Sequence, residues 1–385
     1  MENKTSSREV VALDRTVDSN DPLANFFRYN LKLNWASLWF LALLYLGPFE
    51  KLLLPALGGY LQLNVGIRQW VPHVESLLTG FIEFPALLAF YLWSGKGVVM
   101  LFDEMRQHKS FTDPEAYDAF VGRALISFRN KMWPLIGLIV GVLAAVVMHF
   151  AVWGENAQVP PWFGDRPGMR AFTLFNIGLV AYTVTQSLIR EGLVITWLGR
   201  LWREMGGRLD IHSYHEDQAG GLAGIGRHTV VFLFFVVILM LFILMATIIP
   251  GFLEQGSTGE TIPLRLWSPI LVGIWVSYLI VIPIMVFLLV WPAHNAMLAR
   301  RAESLKIYST KLDDLMVKAA QYSSEDPKKF EEVLGRMENL KKMRAQILED
   351  FPVWPLSQES TRMLGFTSSL PTLYSAVTFL VSVLS

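Results

Sequence analysis

Cysteine is absent from the 385 residues. That excludes a disulfide framework, thiolate zinc sites and a cysteine nucleophile. Charge is scarce as well: 17% of the chain is Asp, Glu, Lys or Arg, against about 25% in soluble proteins. Lys and Arg balance Asp and Glu at 33 each, so no net field draws in nucleic acid, and nucleic acid is not an expected partner. An apolar leader with a small-residue cleavage site is not visible in the polar first 30 residues. What the chain has instead is apolar length. Hydrophobic residues make up 53% and the mean hydropathy is +0.39. These values describe a polytopic membrane protein whose first partner is the lipid bilayer.

A bilayer core takes about 20 mostly apolar helical residues. Met132–Gly154, Thr229–Leu253 and Leu266–Ala293 contain no Lys, Arg, Asp or Glu. Ser76–Gly95 carries one acid, Glu83, and Phe172–Ile189 ends at Arg190-Glu191. Asn34–Ala56 is interrupted by Glu50-Lys51, and a seventh run, Met363–Ser385, is again free of charge. These runs are too long for barrel strands and lack their two-residue alternation. The predicted fold is all-α: a transmembrane bundle with six spans, plus a C-terminal seventh helix that spans or re-enters.

Lys and Arg set the orientation, because cytoplasmic loops carry the excess. Five precede the first span: Lys4, Arg8, Arg15, Arg28 and Lys32. Arg68 alone follows, then Lys96, Arg106, Lys109, Arg123, Arg129 and Lys131. Arg166 and Arg170 come next, then Arg190, Arg200, Arg203, Arg208 and Arg227. Arg265 precedes twelve more between Arg300 and Arg362. High and low counts alternate throughout, which puts the N-terminus and the late charged segment in the cytoplasm. Tryptophans near predicted span ends, among them Trp35, Trp93, Trp133 and Trp291, suit an interfacial belt.

Four parts follow: a cytoplasmic arm over 1–33 with residues 1–20 mobile, a membrane bundle over 34–292, a hairpin over 293–355 and a terminal membrane helix over 356–385. Leu298, Arg301, Leu305, Tyr308, Leu312, Leu315, Ala319 and Tyr322 alternate at three and four residues, a heptad seam. It stops before Asp326-Pro327, which suits the cap and first position of a new helix. Phe330, Val333, Leu334, Met337, Leu340, Met343 and Ile347 then give that helix an amphipathic pattern. The expected product is a cytoplasmic helical hairpin that closes on itself, packs against a second copy in a homo-oligomer, or holds a cytoplasmic partner. The fourth span is expected to overrun the membrane, since Leu193, Trp197, Leu201 and Met205 prolong its pattern; residues 191–227 would form a cytoplasmic extension and turn.

Three groups of side chains invite a functional reading. On the last helix, Ser368, Thr372, Ser375, Thr378 and Ser382 fall within an arc of about 120°. Hydroxyls so aligned suit a wet pathway, with Phe379 in the same arc as an apolar constriction; they equally suit close packing of two helices. In the outer half of the membrane lie Glu50, Lys51, Glu83 and His149. Ionisable groups at such depths face a partner or water. Glu83 and His149 match in depth, as an ion or proton site or as a structural hydrogen bond. Third, His212, His215 and Asp217 crowd one turn, yet no helical spacing fixes them on a metal, and solvated loop histidines explain them as well. No cofactor is expected: the chain lacks a His-Glu-x-x-His run, a Gly-x-Ser-x-Gly elbow and a phosphate loop ending in Gly-Lys-Ser/Thr, so an enzyme is not expected either.

His215-Glu216-Asp217-Gln218-Ala219-Gly220-Gly221-Leu222 resembles a His-Pro-Asp…Gly-Gly-Leu turn, with Glu216 where that pattern has proline. Together with Trp354-Pro355 and the Pro371-containing terminal helix, it is similar to an uncharacterised group of bacterial multi-pass membrane proteins. The resemblance implies a bacterial inner-membrane location and brings no activity. The layout, with seven helices, an inner N-terminus and a cytoplasmic anchor before the last span, is similar to that of insect chemoreceptor channels. The reading is therefore a homo-oligomeric ion channel lined by the C-terminal helix. The alternatives are a solute or proton-coupled transporter using Glu83 and His149, and a sensor or scaffold acting through the hairpin.

Overall fold

The computed structural model describes residues 17–45, 82–153, 167–211, 217, 219–258, 268–357 and 359–366. Among them the fold is all-helical, with no strand. Helices are α1 (Pro22–Asn25), α2 (Trp35–Leu44), α3 (Phe84–Gln107), α4 (Pro114–Phe128), α5 (Met132–Trp153), α6 (Pro167–Met205), α7 (Ala223–Thr258), α8 (Ser268–Glu325) and α9 (Pro327–Asp350). Four stretches are long and apolar enough to cross a membrane: Phe84–Gln107, Pro114–Val147, Arg170–Arg208 and Ala223–Leu241. The start of the first predicted span is present as the shorter apolar α2. The seventh predicted run lies outside the described residues beyond Phe366.

The caps explain where several helices begin. Asp113 accepts from the Ala116 amide at 3.0 Å, with Pro114 in the first turn of α4. Asn34 accepts from Ser37 at 2.8 Å at the start of α2. Each satisfies a first-turn amide that has no partner inside its helix.

α3 is the central helix. Leu87, Phe90, Tyr91, Leu92, Val98, Leu101 and Met105 point to different sides, and all are buried. A helix with buried apolar residues on several sides belongs in the interior, and α3 packs on α2, α6 and α7. α5 is its opposite. Leu138, Val142, Leu143, Val147 and Phe150 are exposed along one flank. A stripe of that size has no favourable contact with water; lipid is its natural solvent.

The inner flank of α5 meets α6 through glycines. A Cβ at Gly141 would stand 2.7 Å from the Gly178 carbonyl oxygen, and one at Gly137 2.4 Å from Gln186 Nε2. Gly137 and Gly141 are four apart, the small-xxx-small spacing that lets two backbones approach in lipid. There dispersion replaces the hydrophobic effect as the force between helices, so close approach matters more.

α6 spans 39 residues without interruption, about 58 Å at 1.5 Å per residue. It runs past the predicted span end at Ile189 and stops at Met205, where the sequence pattern also ends. α8 spans 58 residues and turns into α9 through the single residue Asp326. Asp326 caps α9, accepting from Lys328 and Lys329 at 3.2 and 3.3 Å, with Pro327 in first position. Leu312, Leu315, Ala319 and Tyr322 of the heptad seam pack on Phe330, Val333, Met337 and Leu340 of α9.

Two outcomes test these contacts. Replacing Gly141 with leucine overpacks the α5–α6 crossing and lowers stability by about 1–3 kcal/mol, read from unfolding in detergent micelles. At the hairpin turn, the Lys329 amide first, then its ammonium and the Lys328 amide, hold the Asp326 carboxyl below the ordinary 3.8. A carboxyl depressed in the folded state stabilises it above the unfolded value and loses that effect as pH falls through the folded one. Protection of the Lys328 and Lys329 amides, measured against their intrinsic exchange rates, therefore falls below about pH 4. Asp326→Asn abolishes that acid response, whereas Asp326→Ala accelerates exchange already at neutral pH.

Candidate functional site

The chemistry sits where the N-terminal segment enters the bundle. Asp21 caps α1, with Oδ1 accepting from the Leu23 and Ala24 amides at 3.2 Å each. The same oxygen accepts from the hydroxyls of Tyr91 on α3 and Tyr182 on α6, at 2.7 and 2.8 Å. Its other oxygen meets Arg190 of α6 at 2.8 Å. Arg190 also lies 3.0 Å from Asp18, donates to the Tyr91 carbonyl at 2.7 Å and to Ser94 Oγ at 3.0 Å, and has its guanidinium 4.9 Å from the Tyr91 ring centroid. Arg28 closes the set, 2.6 Å from Asp18 and donating to the Leu92 carbonyl at 2.6 Å.

All of this is buried. Asp18 is 0% exposed, Asp21 4% and Arg190 6%. Two arginines oppose two aspartates, so the group is balanced within a low-dielectric interior, the condition under which buried charge persists. Gly95 makes room for it: a Cβ there would sit 2.6 Å from Asp18 Oδ1. The crevice beside the group has a volume of ≈ 10 Å³, room for a single water.

These positions revise two expectations. Val17 and Asp18, placed by the sequence at the end of a mobile arm, are packed in the interior, held there by the two arginines. Arg190, counted among loop cations, lies inside α6 and spends its donors on protein. The alternation of Lys and Arg survives without it.

A second buried pair follows immediately on α6. His228 Nε2 of α7 is 2.9 Å from Glu191 Oε2, with the side chains 3% and 1% exposed. The Trp93 ring of α3 lies 5.3 Å from the imidazole and stands against Phe90, which stacks on Phe235. Trp93 is therefore an interior contact of the dyad.

A third arrangement holds the linker that follows α9. His294 of α8 stacks on Trp354 at 3.8 Å and its Nδ1 contacts the Val353 carbonyl. Phe351 is buried, and Leu356 packs on the main core. A Cβ at Gly226 of α7 would be 2.6 Å from the Pro355 carbonyl oxygen, so the linker lies directly on the α7 backbone.

The sequence candidates fall as follows. Ser368, Thr372, Ser375, Thr378, Phe379 and Ser382, Glu50 and Lys51, and His212 and His215 lie outside the described residues. Asp217 accepts from the amides of Ala219, Gly221 and Ala223 at 2.9–3.1 Å. That pins the turn into α7, and Gly220 and Gly221 follow at φ of 65° and 92°, which glycine adopts freely. No cluster of three metal-ligating side chains occurs among the described residues. Glu83 is buried at the head of α3, and His149 is half-buried on α5 with its ring against Phe150. A surface cavity of ≈ 270 Å³ between α3 and α4 has a floor of Val99, Phe102, Val121 and Leu125 and the Arg106–Asp118 pair at 2.8 Å beside it.

Compared with protein-family models, curated proteins and solved structures, the chain has no match in any of the three. The turn and Trp-Pro resemblance therefore stays one of short motifs. The class rests on the fold: an all-helical chain whose four apolar helices are compatible with an integral membrane protein.

Arg190→Met leaves Asp21 without a cation and Asp18 with Arg28 alone, and costs about 3–5 kcal/mol. Adding Asp21→Asn recovers part of the loss, because the stranded charge goes with it. Denaturant unfolding of both variants in a membrane mimetic measures the difference.

Proposed function

We propose that the chain is a subunit of a homo-oligomeric ion channel in a bacterial inner membrane, with the C-terminal helix lining the pore. The N-terminus and the α8–α9 hairpin face the cytoplasm in this reading, as the alternation of Lys and Arg supports. The hairpin would hold neighbouring copies together or bind a cytoplasmic partner.

The observation that carries it is the clamp on residues 351–356. A pore helix must stand at a fixed radius and tilt, so the segment feeding it has to be rigid. His294 stacks on Trp354, Phe351 is buried, and Pro355 rests on the backbone at Gly226. Rotation of this linker would have to break packing and a ring stack together. In the sequence, the terminal run has Ser368, Thr372, Ser375, Thr378 and Ser382 at helical spacing with Phe379 among them, the pattern of a wet wall with an apolar gate.

A proton-coupled transporter is the second reading, favoured by the burial of Glu83 inside an apolar helix bundle. Full-length protein in planar bilayers separates the two. A channel gives unitary current steps, larger in Phe379→Ala and smaller in Ser375→Leu; currents identical in all three proteins overturn the pore assignment. Saturable flux without unitary steps, abolished by Glu83→Gln, establishes the transporter instead.

A further inference from the structure

We propose that Glu191 and His228 form a buried proton-binding site between α6 and α7, separate from the Arg190 ion-pair group. Geometry carries the proposal. One contact of 2.9 Å joins His228 Nε2 to Glu191 Oε2. The far atom of each side chain, Glu191 Oε1 and His228 Nδ1, is buried without a hydrogen-bond partner. A buried polar atom left unsatisfied costs about 1–3 kcal/mol, and a charged one more. Both ends of one dyad are therefore open.

The surrounding charges have no capacity left for Glu191. On its own helix, Arg190 is committed to Asp18 and Asp21. Arg28 of the N-terminal segment is committed to Asp18. On α7, Arg227 pairs with Glu104 of α3. Lys96 of α3 is exposed. On α8, His294 is held by Val353 and Trp354. The partner of the Glu191 carboxylate is an imidazole, which is neutral unless it takes up a proton. A carboxylate buried at 1% exposure opposite a neutral ring is an uncompensated charge, the most costly arrangement in a protein interior.

The step is simple to balance. With the ring neutral, the Nε2 proton bonds to Oε2, and Nδ1 and Oε1 keep free lone pairs. Hydronium or water supplies a proton, an N–H bond forms at Nδ1, and the donor leaves as water or hydroxide. The product is an imidazolium–carboxylate pair of zero net charge. Transfer of the Nε2 proton to Oε2 gives the equivalent acid–imidazole form. Histidine is the side chain whose ordinary titration lies nearest neutrality. Because Glu191 follows Arg190 directly in α6, the charge of this site is felt at the neighbouring ion pairs.

The proposal rests on neither reading of the function and is tested at equilibrium, without flux. Full-length protein with ¹⁵N-labelled histidine, in lipid nanodiscs, is titrated from about pH 4 to 9. His228, assigned by loss of its signals in His228→Gln, shows one protonation step. The carboxyl infrared band lost in Glu191→Gln moves at the same pH. The proton affinity of His228 changes by about tenfold or more in Glu191→Gln. His228 ring signals that stay constant across this range in the unmodified protein overturn the proposal, as does an unaltered His228 titration in folded Glu191→Gln.

Discussion

The structure depends on one cation placed where water is scarce. Arg190 stands in the middle of α6, and its donors reach the N-terminal segment and, on α3, the Tyr91 carbonyl and the Ser94 hydroxyl. A guanidinium suits this place better than an ammonium, because its planar fork satisfies two aspartates, a carbonyl and a hydroxyl at once. The interaction ties together parts of the chain separated by 169 residues. Without its two acids the arginine could not be buried. Without the arginine, Asp21 would be a buried carboxylate with no cation.

That dependence explains the polar residues on α3. Gly95 is small because the Asp18 carboxylate occupies the space of its side chain. Ser94 accepts from Arg190 while donating to the Tyr91 carbonyl at 2.9 Å. Tyr91 uses both ends, its ring beneath the guanidinium and its hydroxyl on Asp21. Around this polar centre the rest of the bundle packs by size: aromatic rings against α7 and glycine against glycine between α5 and α6.

Helix identity was legible in the sequence wherever period and punctuation agreed. The long overrun of α6 followed from Leu193, Trp197 and Leu201, and the turn at Asp326-Pro327 followed from its cap chemistry. The polar centre was not legible. Arg190-Glu191 at the close of an apolar run looks like a membrane boundary, because a local pattern contains nothing about partners far along the chain. Two signals did point the other way. Apolar spacing continues beyond Glu191, which puts the dipeptide inside a helix. Asp21-Pro22 is a helix start within a stretch otherwise read as an arm. The Gly137–Gly141 spacing was also present and marks the α5–α6 crossing. His228, one polar residue in an apolar helix, shows its role only when Glu191 stands opposite.

α8 carries one more consequence. It contains no break between its apolar first half and its charged second half, and its 58 residues measure about 87 Å. A rod of that length is a lever. Sideways force at the Asp326 tip produces torque on the bundle where His294 and Met297 are buried, with the fulcrum at the clamp beneath Trp354. Events at the tip and the setting of the linker over 351–356 are mechanically joined by α8.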